Sequence, residues 1–203
     1  CRAAAVRALH QPESMEEVAQ AQRRMGFEEL LLLMTALRLR KSHRMSLADA
    51  PNLSAGAPAA WAWTKRLGFA MTGAQVKTLQ DIQQDVAQPY PMNRMVQGDV
   101  GSGKTVVALA ALLTAVKAGY QGAYMAPTEV LAHQLYEEAV QRLEPEGVQV
   151  RLLTGGLRAA ARRQILQGIQ LGLCDLVVGT HALIQDDVVF RRLGLVVTDE
   201  QHR

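Results

Sequence analysis

The chain has 203 residues, 49% hydrophobic and 20% charged, which suits one large domain or a domain with an appendage and excludes a disordered or coiled-coil composition. Its 22 basic and 19 acidic residues leave a net charge of +3, compatible with nucleic acid but not requiring it. Two cysteines, Cys1 and Cys174, make no disulfide framework, and no run approaches the ~20 apolar residues of a membrane span.

No basic-then-apolar leader opens the chain. Cys1 and Arg203 both lie in sequence that reads as structured, so a piece of a longer protein is expected. Residues 1–66 carry ten basic and six acidic residues against twelve and thirteen in 67–203, so the positive excess sits in the first third. There, Ser14 is an N-cap candidate with Glu16 and Glu17 in the first turn, and 16–44 reads as helix with a candidate break at Gly26. Phe27, Leu30, Leu31, Met34 and Leu37 form one apolar face at spacings of three and four. The basic run Arg38, Arg40, Lys41, His43 and Arg44 reads first as a solvated last turn favoured by the helix dipole, and second as a nucleic-acid or partner surface. Residues 46–60, rich in Ala, Pro, Ser and Gly, read as a loop or linker, with a domain boundary near residue 66.

From residue 72 the pattern alternates. Helices are predicted over 72–86, 104–118, 129–143 and 157–171. Strands are predicted over 94–97, 122–126, 148–153, 175–178 and 193–198. Met95 and Met125 are expected in the core. Such alternation predicts a parallel sheet with helices on both faces, which binds ligands at the carboxyl ends of its strands.

Gly98-Asp99-Val100-Gly101-Ser102-Gly103-Lys104-Thr105 fits the phosphate-loop pattern completely. Its glycines let the backbone curl around phosphates, and the following helix aims its first N–H groups at them. Lys104 supplies a positive charge to the β and γ phosphates, and Thr105 a hydroxyl ligand for Mg²⁺. A second carboxylate site follows an apolar strand: Asp199 would hold the metal and Glu200 would deprotonate the attacking water. The plain alternative for this pair is a helix cap with a first-turn acid.

The tetrad Asp199-Glu200-Gln201-His202 resembles the D-E-x-H box of superfamily 2 helicases, and other strings follow in that family's order. Thr72-Gly73-Ala74-Gln75, with Phe69 six residues ahead of the Gln, resembles the adenine-recognising Q motif. Ala126-Pro127-Thr128-Glu129, Thr154-Gly155-Gly156 and Val178-Gly179-Thr180-His181 resemble motifs Ia, Ib and Ic. The wording is most similar to the ATP-dependent helicases that remodel branched DNA, over roughly residues 20–203. A rival is the transcription–repair coupling translocase, which typically carries Phe in place of Ser102 and Glu in place of Gln201.

The resemblance implies an α/β fold, a RecA-like phosphate-loop NTPase lobe preceded by a helical segment. Residues 1–66 would be the approach from an upstream wedge region, and 67–203 the ATP-binding domain, a first RecA-like lobe that stops after the D-E-x-H box. It implies ATP and Mg²⁺ as ligands, with Lys104, Asp199 and Glu200 catalytic and Thr105 and Asp199 on the metal. Gln75 would contact adenine, alongside the phosphate loop from Gly98 through Asp99, Val100, Gly101, Ser102 and Gly103 to Lys104 and Thr105. Thr128, Gly155 and Thr180 would contact the DNA backbone, and His202 would couple the two sites. Each has a plain alternative: Thr72 and Gln75 as capping residues, Thr128 as an N-cap, His181 as a structural histidine. The implied partners are branched or forked duplex DNA and a second RecA-like lobe bearing an arginine finger, with no membrane. The implied setting is the bacterial cytoplasm, in association with the nucleoid. Without the finger, worth ~10³–10⁵ in rate, this piece is expected to bind nucleotide weakly and not to hydrolyse it efficiently. A reading of another class is a non-motor phosphate-loop switch, which has no use for the motif Ia, Ic and D-E-x-H strings together.

Overall fold

The computed structural model describes residues 2–46 and 50–200, and the chain divides into two compact units, Cys1–Ala48 and Asp49–Arg203. The first is a helical hairpin of α1 (Arg2–His10) and α2 (Met15–Ser46). Small residues let the two helices approach: Ala5 and Ala8 are buried with Ala21, flanked by Leu9 and Met25. The start of α2 is as its sequence suggests, with the Ser14 hydroxyl accepting from Glu17 N at 3.2 Å. The break considered at Gly26 does not occur. One interior glycine costs about 1 kcal/mol, too little to interrupt a helix of 32 residues. The apolar face is present but uncovered within this unit: Phe27, Leu30, Leu31, Met34 and Leu37 are all at least half exposed, as are Leu32, Leu33 and Leu39.

The second unit is built on a four-stranded parallel sheet of order β2-β3-β1-β4. Its strands are β1 (Gln121–Met125), β2 (Val150–Leu153), β3 (Leu176–Gly179) and β4 (Leu193–Thr198). Its helices are α3 (Ala57–Thr64), α4 (Gly73–Asp85), α5 (Lys104–Lys117), α6 (Glu129–Leu143) and α7 (Ala159–Leu171). Strand periodicity sorts the core into two layers. Tyr124, Val150, Leu176, Val178 and Leu195 pack with Leu109, Leu112 and Leu113 of α5 and Ala132 and Leu135 of α6. On the opposite face Leu153 and Val177 pack with Ile169 of α7 and with Ala182 and Leu183. Beneath the sheet's amino edge, Gln121 is a buried staple. Its amide donates to Ile169 O (3.0 Å) and Cys174 O (2.8 Å), and its Oε1 accepts from Arg192 N (3.0 Å).

Four expectations are corrected by the structure. The linker at 46–60 holds a helical turn at Ser54–Gly56 and the start of α3. From residue 50 onward it is part of the sheet unit: Leu53, Ala60 and the following Trp63 are buried, and the Trp63 indole donates to Arg142 O at 3.0 Å. Gly56 lies so close to the Thr114 carbonyl of α5 that no Cβ fits between them. The boundary placed near 66 therefore moves to the stretch between residues 48 and 49. Finally, 94–97 forms no strand. Arg94 is held by α4, at 2.7 Å from Asp85 and 3.5 Å from Asp81, and a groove of about 440 Å³ separates Pro91–Arg94 from Gly194–Thr198 of β4. With no ladder partner, Met95 is 70% exposed rather than in the core. No helix among the described residues is long and apolar enough to cross a membrane.

Candidate functional site

The phosphate loop leads into α5 at the carboxyl edge of the sheet. Gly101 (φ +81°) and Gly103 (φ +78°) take the left-handed conformation that turns the backbone inward. Gly103 is the N-cap of α5 and no side chain caps that end, so the first N–H groups of the helix are left for an anion. Lys104, first in the helix, turns back over the loop: its Nζ donates to Gly98 O (2.7 Å) and Asp99 O (2.9 Å). Ser102 N closes the turn on Asp99 O at 3.1 Å, and Val100 points fully into solvent. Curled backbone, uncapped helix end and an ammonium that, among the described residues, bonds carbonyls only together form a cradle that suits a polyphosphate.

Thr72 and Gln75 form a reciprocal cap on α4. Gln75 N donates to Thr72 Oγ1 (3.3 Å), and Thr72 N donates to Gln75 Oε1 (2.8 Å). The remaining amide group of Gln75 reaches across to the phosphate loop, donating to Ser102 O at 2.8 Å. The capping alternative is therefore realised, and the same side chain also braces the loop.

Opposite the loop, β4 delivers Asp199 and Glu200. Asp199 N donates to Met125 O of β1 (2.9 Å), and its Oδ1 accepts from Glu200 N (3.0 Å). Glu200 sits at φ +46°, the sole non-glycine at positive φ among the described residues, at a cost of about 1–2 kcal/mol. Tyr124, buried on β1, lies between the two halves, with Thr105 beside its phenol and Asp199 within electrostatic reach. Burial first, then the charges of Asp199 and Glu138, push the phenol well above its ordinary pKa, and the Thr105 side chain partly offsets this. Sequence reasoning passed over Tyr124; a tyrosine inside an otherwise apolar strand was the available signal, since a buried phenol needs a partner. No group of three His, Cys, Asp or Glu side chains among the described residues would hold a metal unaided.

The three other loops on this edge carry the remaining candidates. Thr128, after β1, is exposed and N-caps α6 by accepting from Leu131 N at 3.3 Å. Gly155 follows β2, just past the buried Thr154. Thr180 follows β3, donating to Leu153 O at 3.4 Å and opening the turn His181–Ile184. His202 lies outside the described residues, as do Gln201 and Arg203.

Comparison with known proteins gives a consistent picture. The family described as DEAD/DEAH box helicase matches residues 73–203. The chain is similar to the "ATP-dependent DNA helicase RecG" of Streptococcus pneumoniae, 48% identical over 202 residues, covering all of this chain and 30% of that protein. It is 43% identical over 199 residues to the protein of the same description from Bacillus subtilis, covering 98% of this chain and 29% of the relative. Among solved structures, "Structure of RecG bound to three-way DNA junction" superposes with a TM-score of 0.87 at 40% identity, covering 98% of this chain and 27% of that one. The chain thus spans less than a third of the length of these relatives.

Proposed function

The chain belongs to the DEAD/DEAH box helicase family, and from that premise we propose that it is the ATP-binding lobe of an ATP-dependent DNA helicase that remodels branched DNA in recombination and repair. One observation carries this: the phosphate loop, Thr128, Gly155, Thr180 and Asp199 all lie on the carboxyl edge of one parallel sheet. The relatives' description supports the substrate.

On this reading Lys104 leaves the carbonyls of Gly98 and Asp99 to meet the β and γ phosphates of ATP, and the uncapped start of α5 holds them. Gln75 recognises the adenine edge. Thr105 and Asp199 would hold Mg²⁺, which would supply positive charge to offset that of the phosphates. Tyr124 orients the Thr105 hydroxyl, and Glu200 takes the proton of the attacking water. His202 relays the state of this site to the DNA-facing loops. Thr128, Gly155 and Thr180 grip the backbone, which gives sequence-independent, salt-sensitive binding. Residues before the lobe are the approach from an upstream wedge. A second lobe supplies the arginine finger, and the full protein works in the bacterial cytoplasm at the nucleoid. The names of these relatives favour neither a transcription-coupled translocase nor a non-motor switch.

The test is ATP turnover by the full-length protein with and without forked DNA. Stimulation by the fork is expected; turnover indifferent to the fork would favour the switch. The isolated 203 residues are expected to bind nucleotide but not to show DNA-stimulated turnover.

A further inference from the structure

Two of the loops assigned to DNA are joined by a side chain that has no role so far. Glu129 is the first residue of α6, next to Thr128. Its Oε1 accepts from Gly156 N at 3.0 Å, so the loop after β1 is bonded to the loop after β2. The two glycines lie flat over the carboxylate. A Cβ on Gly155 would stand 3.5 Å from Oε1, and one on Gly156 would stand 3.4 Å from Oε2 and 3.6 Å from Oε1. The neighbouring Thr128 hydroxyl is engaged within its own helix, on Leu131 N. Glu129 is therefore the side chain that fixes the distance between the two loops.

An exposed carboxylate is a poor choice beside a groove that takes phosphates, because plain Coulomb repulsion works against binding there. An acid in the first turn of α6 does suit the helix dipole, but an aspartate would serve that purpose equally. What aspartate lacks is one methylene of reach toward Gly156. Reach, rather than charge, is what this position uses.

We propose that Glu129 is a positioning residue for the DNA-binding edge. Its carboxylate holds the Thr154–Gly156 turn level with Thr128, so that both loops meet one stretch of backbone without first being ordered by it. This rests on the assignment of Thr128 and Gly155 to DNA.

The experiment measures affinity of the full-length protein for a fluorescein-labelled three-way junction at one fixed salt concentration, with nucleotide affinity measured separately without DNA. Glu129→Asp and Glu129→Ala are expected to weaken DNA binding about fivefold, the worth of one exposed charge-assisted hydrogen bond. Glu129→Gln, which keeps an oxygen at the same reach and removes the repulsion, should bind no more than about twofold more weakly than the parent. All three should leave nucleotide affinity unchanged. Thr128→Asp preserves the cap of α6 but adds a negative charge at the adjacent loop, and tests the underlying assignment. If it leaves junction affinity unchanged, that assignment fails and the proposal with it. If it weakens binding while Glu129→Asp matches the parent, the assignment stands and the proposal is overturned. A loss by Glu129→Gln equal to that of Glu129→Ala also overturns it, since charge would then be the operative property. Should Glu129→Ala fold poorly, the Asp and Gln variants carry the comparison, because both keep a helix-compatible side chain.

Discussion

Gly103 and Gly101 share a left-handed backbone but differ in surroundings, which makes them a matched pair for substitution. A Cβ at Gly101 meets nothing within 4 Å, so Gly101→Ala costs only the conformational penalty of about 1–2 kcal/mol. A Cβ at Gly103 collides with the amide nitrogen of Gln75. Gly103→Ala therefore adds the loss of the bond from Gln75 to Ser102 O, about 1 kcal/mol, and disturbs the cap on Thr72 by a similar amount. The sum is about 3 kcal/mol, or roughly 150-fold in nucleotide affinity, against roughly tenfold for Gly101→Ala. The double variant Gly103→Ala with Gln75→Ala separates the contributions. Removing the amide removes the collision, so the second substitution costs only the backbone penalty. A coupling of about 1–2 kcal/mol is expected in the cycle, read by titration of a fluorescent nucleotide. Additivity within about 0.5 kcal/mol, or equal losses at Gly101 and Gly103, would refute the claim that Gln75 braces the loop.

Gln121→Leu takes the side-chain partner from the buried Cys174 carbonyl and from Arg192 N, while Ile169 O keeps its bond from Gly172 N, and should lower unfolding stability by about 2 kcal/mol, seen as a drop in Tm with nucleotide affinity of the folded protein unchanged. Glu200→Gly removes the penalty of positive φ and is expected to stabilise by up to about 1 kcal/mol in denaturant titration while abolishing ATP turnover. Cys174 is 3% exposed and burial raises its thiol pKa, so a thiolate-directed alkylator near pH 8 should label it only as fast as the domain opens; labelling of Cys174 itself, distinguished from Cys1 by peptide mapping, at the rate of a free thiol would contradict this burial.

Much of the sheet was legible because its strands are short apolar runs with helices between them, and β1 through β4 fall close to where periodicity placed them. Arg94-Met95-Val96-Gln97 shows why such a run is not sufficient: a strand needs a partner, and here a charged residue is bound to α4 instead. Ala57–Thr64 was hidden by the opposite effect. Its Ala and Pro content reads as linker, yet its two tryptophans and the close fit of Gly56 on α5 bring it into the core, and only tertiary contacts reveal that. In the candidate site, the turn at Gly101 and Gly103 and the start of α5 at Lys104 were legible because the phosphate-loop pattern demands glycines before a helix at that spacing. The brace from Gln75 and the link from Glu129 were not, since both depend on which loops the parallel crossovers bring side by side.

The outer edge of β4 has a consequence for handling the protein. From Leu193 to Thr198 this strand bonds β1 on one side, while the groove toward Pro91–Arg94 lies on the other. Leu193 and Val196 are 40% and 53% exposed along it, and no lysine or proline interrupts the run. Edges of this kind are templates for strand addition, and natural sheets shield them with charge, bulges or cover. The 203-residue piece should accordingly associate through β4 as its concentration rises. A charge on the exposed face, such as Val196→Lys, would be the first substitution to try in keeping it monomeric.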